Sequence, residues 1–93
     1  ASVGHANELF LPAKPIEGQY IVVLKETQVR FGDSQDARLP DVLSTAVDMS
    51  AGYGLKYVRH YERVLPGFVV QADPGKIDRL LTDPRIDYIE QDG

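Results

Sequence analysis

Leu65-Pro66-Gly67-Phe68-Val69-Val70-Gln71-Ala72-Asp73-Pro74-Gly75-Lys76-Ile77 is the stretch that decides the fold. Pro66 presets φ and Gly67 tolerates positive φ, so the stretch opens on a turn. Residues 68–72 leave that turn as a strand. Residues 55–63 enter it as another, with Tyr57 and Tyr61 suited to a pleated surface, and the two strands form a hairpin. Asp73 is then a natural N-cap and Pro74 a natural first helical residue. Ile77, Leu80 and Leu81 supply the apolar side of a short helix, which ends by Asp83 because Pro84 follows.

Working outward, residues 85–91 read as a last strand. Residues 19–25 read as a first one, β-branched or aromatic at nearly every position. A polar connection over 26–36 leads to apolar residues at Leu39, Val42, Leu43, Ala46, Val47 and Ala51, one stripe on a helix. Pro40 fits its first turn, and Gly52 and Gly54 stop it. The order strand, helix, strand, strand, helix, strand predicts a ferredoxin-like α+β sandwich. It has a four-stranded antiparallel βαββαβ sheet with both helices on one face. Residues 1–18, broken by Gly4, Pro12, Pro15 and Gly18, read as a flexible arm preceding a domain over 19–93.

The chain of 93 residues carries 10 basic and 14 acidic side chains, a net charge of −4. That balance argues against nucleic acid as a partner, because phosphate binding needs clustered cations. There is no cysteine, hence no disulfide and no thiolate chemistry. The longest apolar run, Tyr20-Ile21-Val22-Val23-Leu24, is far too short to span a bilayer. An opening Ala1 without an initiator Met is what a processed piece of something longer would show.

Nothing in the pattern points to catalysis. His5 and His60 stand far apart, and a zinc site needs three or four convergent ligands, so no metal or cofactor is expected. His60, beside Arg59 and Glu62, reads as a solvated strand residue. Ser2, Ser34, Ser44 and Ser50 sit in no nucleophile turn. A phosphate cradle after the first strand would need more glycine than Thr27-Gln28-Val29-Arg30-Phe31-Gly32 offers. An RNA-binding sheet would need a basic rim that Phe68-Val69-Val70 lacks.

The strands carry a stronger signal. A sheet covered by helices on one face should alternate apolar and polar residues. Here Tyr20, Val22 and Leu24 are opposed by Ile21 and Val23, Phe68 and Val70 by Val69, and Ile86 and Tyr88 by Ile89. Two helices cannot cover both sets, so the second face is expected to be an interaction surface. The alternatives are stray apolar residues of the kind central strands tolerate, or cover by residues 9–11 of the arm. Residues 83–93 hold four acids against one base. Glu90 and Asp92, two apart, project to the same side of an extended chain. Acids at the end of a strand are usually solubilising groups. The alternative is that this pair, at the rim of an apolar sheet, accepts hydrogen bonds from exposed N–H groups at a partner's helix N-termini.

Tyr20-Ile21-Val22-Val23-Leu24-Lys25, Leu65-Pro66-Gly67-Phe68-Val69-Val70 and Asp83-Pro84-Arg85-Ile86-Asp87-Tyr88-Ile89-Glu90-Gln91-Asp92 together resemble the propeptide of subtilisin-like serine proteases. The proteinase K and proprotein convertase branches are the nearest. The resemblance runs from about Gln19 to Asp92, and residues 1–18 take no part in it. It implies a secreted, non-catalytic domain that templates folding of a protease and then inhibits it. The open sheet face would pack on two surface helices of the catalytic domain, with Glu90 and Asp92 capping them. Val69, Tyr88, Gln91 and Gly93 are the further expected contacts. In the family the chain continues into the active-site cleft as a substrate-like strand. The sequence here stops at Gly93, so the expectation rests on face docking. The alternatives are a stand-alone inhibitor of the same proteases, or an unrelated ferredoxin-like module that dimerises or binds a small ligand through the same face.

Overall fold

A strand that is apolar on both sides belongs in the middle of a sheet, and β2 (Gln19–Leu24) is there. The computed structural model describes residues 8–10, 18–33, 36–61 and 63–92, the first three through the backbone alone. The other elements are β1 (Glu8–Phe10), α1 (Val42–Tyr53), β3 (Lys56–Tyr61), β4 (Gly67–Gln71), α2 (Pro74–Leu80) and β5 (Ile86–Gln91). The strand order is β1-β5-β2-β4-β3. β2 pairs antiparallel with β4 and β5, and β4 antiparallel with β3. The ferredoxin-like βαββαβ core is therefore present as expected.

One strand was not expected. Glu8–Phe10 pairs in parallel with β5, in the register Glu8 to Tyr88 and Phe10 to Glu90. These three residues of the supposed arm thus extend the sheet by an edge strand. A three-residue strand of this kind has too little periodicity to announce itself among prolines and glycines. The rest of that segment, 1–7 and 11–17 with His5, lies outside the described residues, as do residues 34–35, 62 and 93.

One face of the sheet and the inner sides of both helices make a single core. Tyr20, Val22, Leu24, Phe68, Val70, Ile86 and Ile89 meet Val42, Ala46 and Met49 of α1 and Ile77 and Leu80 of α2. The helix stripe differs from the expected one. α1 buries Val42, Thr45, Ala46, Met49 and Ser50, whereas Leu43 and Val47 are exposed. The helix also starts later: Asp41 is the N-cap, accepting from Ser44 N at 2.7 Å. Pro40 stays outside, its carbonyl accepting from Arg30 N at 2.8 Å. Packing of Val42, Ala46 and Met49 into the core turns Leu43 and Val47 outward.

Gly54, at φ 70°, closes α1 in the left-handed region, and Lys76 Nζ of α2 donates to its carbonyl at 2.7 Å. That link joins the end of one helix to the other where the dipole favours a cation. At α2, Asp73 holds the N-cap position with extended φ and ψ, but its side chain makes no capping bond.

Asp83 is no solvated acid. It is buried, and it accepts from Arg85 N (2.9 Å), Arg85 Nε (3.0 Å), an Arg85 terminal nitrogen (2.8 Å) and the Tyr53 hydroxyl (2.8 Å). Arg85 also reaches Asp48 of α1 at 3.1 Å. This network ties the turn before β5 to α1. The Arg85 guanidinium, first of all, holds the Asp83 carboxyl down at about 2.

Candidate docking face

The register sorts the second face of the sheet into three cross-strand rows. Arg59, Val69, Ile21 and Glu90 form one. Tyr61, Gly67, Val23 and Tyr88 form the next. Gln71 and Gln19 form the third, with Asp92 beside Gln19 through Asp92 N to Gln19 O at 2.9 Å. All of these alternate with the core residues, so they face away from α1 and α2.

Glu90 and Asp92 therefore do share that face, together with Tyr88 and Val69. Gln91 does not: it pairs with Tyr20, a core residue, and so projects to the helix side. Period-2 alternation thus sets Gln91 apart from its two acidic neighbours. Gly93 lies outside the described residues.

The face is also less bare than the alternation implied. Val69 is fully buried and Val23 is 4% exposed, although neither belongs to the core. Two side chains of the same domain lie on this face. Arg59 stands on β3, yet its guanidinium lies 3.5 Å from Asp92, just beyond β5. It must lie over the two intervening strands to reach, and Val69 is its cross-strand neighbour. Over Gly67, a Cβ would sit 2.6 Å from Leu65 Cδ1 and 2.8 Å from the Val22 carbonyl. Leu65 thus fills the space that only glycine leaves open, next to Val23. Long side chains snorkel across an apolar surface in this way while keeping their polar ends in water. What stays half-exposed is Ile21, Tyr61, Tyr88 and Glu90.

The polar end of the face is organised by Asp92. Gln71 Nε2 donates to Gln19 Oε1 at 3.4 Å, and Gln19 Nε2 donates to Asp92 Oδ2 at 2.6 Å. Arg59 meets the same oxygen. Asp92 is only 8% exposed, whereas the Glu90 side chain has neither hydrogen bond nor ion pair among the described residues. Tyr88, between them and Asp87, has its hydroxyl pKa pushed up by burial and then by Glu90 and Asp87. Sequence spacing finds the two acids but not Arg59 or Gln19, because those pairings cross the sheet.

His60 is half-buried rather than solvated. β3 carries an irregularity between Tyr57 and Arg59. It brings Tyr57 and His60, three apart, onto one side, with the Tyr57 hydroxyl 2.6 Å from His60 Nδ1. Among the described residues no group of His, Asp and Glu could hold a metal ion. Nor, among the described residues, is any helix long and apolar enough to cross a membrane.

Comparison with known proteins places this architecture. The family model described as peptidase inhibitor I9 matches residues 19–93. Alkaline serine exoprotease A of Vibrio alginolyticus is 32% identical over 78 residues, which is 83% of this chain and 14% of that protein. Alkaline serine protease ver112 of Corniculantispora psalliotae is 33% identical over 81 residues, 86% of this chain and 17% of that protein. The chain thus spans a small fraction of the length of these relatives. With the βαββαβ core, the doubly apolar sheet and the closing acidic strand in hand, the chain belongs to the peptidase inhibitor I9 family, the non-catalytic propeptide domain of subtilisin-like proteases.

Proposed function

We propose that this chain is the prodomain of a secreted subtilisin-like serine protease, which it inhibits and whose folding it assists. It docks the sheet face opposite its helices on the catalytic domain. The observation that carries this reading is the emergence of Glu90 and Asp92 from one face beside half-exposed Ile21 and Tyr88. An apolar centre with carboxylates at its rim matches a surface of paired helices whose N-termini offer unsatisfied N–H groups. Glu90, whose side chain has no hydrogen bond or ion pair among the described residues, is one acceptor for such groups. Asp92 is the second acceptor. Ile21, in the same row as Glu90, and Tyr88, in the next row, supply the apolar contact beside them. The same contacts, made while the protease is still assembling, would hold its two helices together and so lower the cost of ordering them.

The test is a titration of the 93-residue chain into the catalytic portion of alkaline serine exoprotease A from Vibrio alginolyticus, following peptide hydrolysis. Saturable inhibition is expected, with Glu90→Gln weakening it by about 1.5–3 kcal/mol, the range for a hydrogen bond to a charged group. Absence of inhibition, or a Glu90→Gln variant as potent as the parent, would overturn the reading.

A further inference from the structure

Asp92 poses a question that its position alone does not answer. A carboxylate meant for a partner is already 8% exposed in the free domain and engaged by two of the domain's own side chains. Both of those contacts fall on one oxygen. Gln19 Nε2 lies 2.6 Å from Oδ2 and Arg59 3.5 Å from Oδ2, while Oδ1 takes no bond from any described residue. Gln19 is itself held, through its Oε1, by Gln71 at 3.4 Å. The three glutamine and aspartate side chains form a ladder across β4, β2 and the end of β5. Arg59 braces that ladder from the far edge of the sheet.

Resting on the docking reading above, we infer that Gln19 and Arg59 are positioning residues. They lock the Asp92 carboxylate through Oδ2 so that Oδ1 is presented, already oriented and partly desolvated, to the protease's N–H donors. The chemistry favours this over a latch that must open. A carboxylate has about four lone-pair sites and can serve donors on both oxygens at once. A charge-assisted bond on one oxygen fixes the rotation of the group and removes an ordering cost that would otherwise fall on binding. Arg59 is half-exposed, its side chain at 51%, so its charge stays solvated while its stem covers Val69.

The inference is tested by Gln19→Met and Arg59→Met, each alone and combined with Asp92→Asn, as inhibitors of the same Vibrio alginolyticus enzyme. Met keeps length and apolar cover but removes the donor. Each single variant is expected to lose about 3- to 10-fold in affinity, and to lose less than about 2-fold further when Asp92 is already Asn. A structural role would instead weaken binding equally in both backgrounds and lower the melting temperature in step. That result overturns the inference, as does tighter binding by Arg59→Met, which would mark a latch. A readout independent of any protease separates this from the docking reading. In the free chain, the Gln19 side-chain amide signals should stand apart from those of solvated glutamines and move onto them in Asp92→Asn. Undisplaced Gln19 signals would refute the positioning arrangement even if docking holds. Displaced signals with no inhibition by the parent chain would refute docking alone.

Discussion

Replacing Asp83 by Asn isolates the largest electrostatic commitment in the domain. The native carboxylate accepts from the Arg85 backbone and guanidinium and from the Tyr53 hydroxyl, and it is buried. Its pKa is held at about 2 against an ordinary 3.8. The native state therefore binds fewer protons than the unfolded chain between those values, and stability rises with pH across that window. The gap is worth about 2 kcal/mol, fully present above pH about 4 and lost as pH falls towards 2. Asn keeps the shape but loses the charge facing Arg85. That cation is left with Asp48 at 3.1 Å and is itself 32% exposed. Partial exposure discounts the ~3–5 kcal/mol expected for breaking a buried pair, so Asp83→Asn should cost about 2–3 kcal/mol at pH 7. For a domain of this size that is a fall of about 10–20 °C in melting temperature. Urea unfolding of parent and variant at pH 7, 4 and 2.5 is the assay. The difference should shrink by about 2 kcal/mol between the first and last pH. A variant within about 0.5 kcal/mol of the parent at pH 7, or a difference that ignores pH, would refute the argument.

Two further substitutions test the local geometry. Asp41→Ala removes the acceptor for Ser44 N and should destabilise by about 1 kcal/mol in thermal unfolding, with Asp41→Ser restoring most of it. Gly67→Ala would drive a Cβ to 2.8 Å from the Val22 carbonyl and 2.6 Å from Leu65 Cδ1, and should cost about 1–3 kcal/mol by the same measurement. A neutral effect at Gly67 would mean that Leu65 yields and that the face is looser than described.

Much of the fold could be read along the chain because its signals are local. Pro66 marks the turn into β4 and Asp73-Pro74 the start of α2, and the unbroken apolar run over residues 20–24 marks a central strand. Gly67, however, opens β4 without positive φ, and its missing Cβ serves to admit Leu65. The phase of α1 was less accessible, since Leu43 and Val47 match the helical period as well as Met49 and Thr45 do, and only packing against the sheet and α2 chooses between them. Asp83 looked like one of four similar acids. Its burial depends on Tyr53, 30 residues earlier, and no spacing rule connects the two. The face at which Glu90 and Asp92 emerge followed from period-2 alternation. The cover over that face did not, because Arg59 and Asp92 meet only after four strands have been set in register.

The docking claim comes down to which side of the domain loses contact with water on binding. Methyl-labelled chain can be observed with a soluble paramagnetic agent, alone and with the Vibrio alginolyticus enzyme. Ile21, on the sheet face, should lose its paramagnetic broadening in the complex, while Val47, 54% exposed on the outer side of α1, should keep it. Protection of Val47 with Ile21 unchanged would place the partner on the helices and contradict the account.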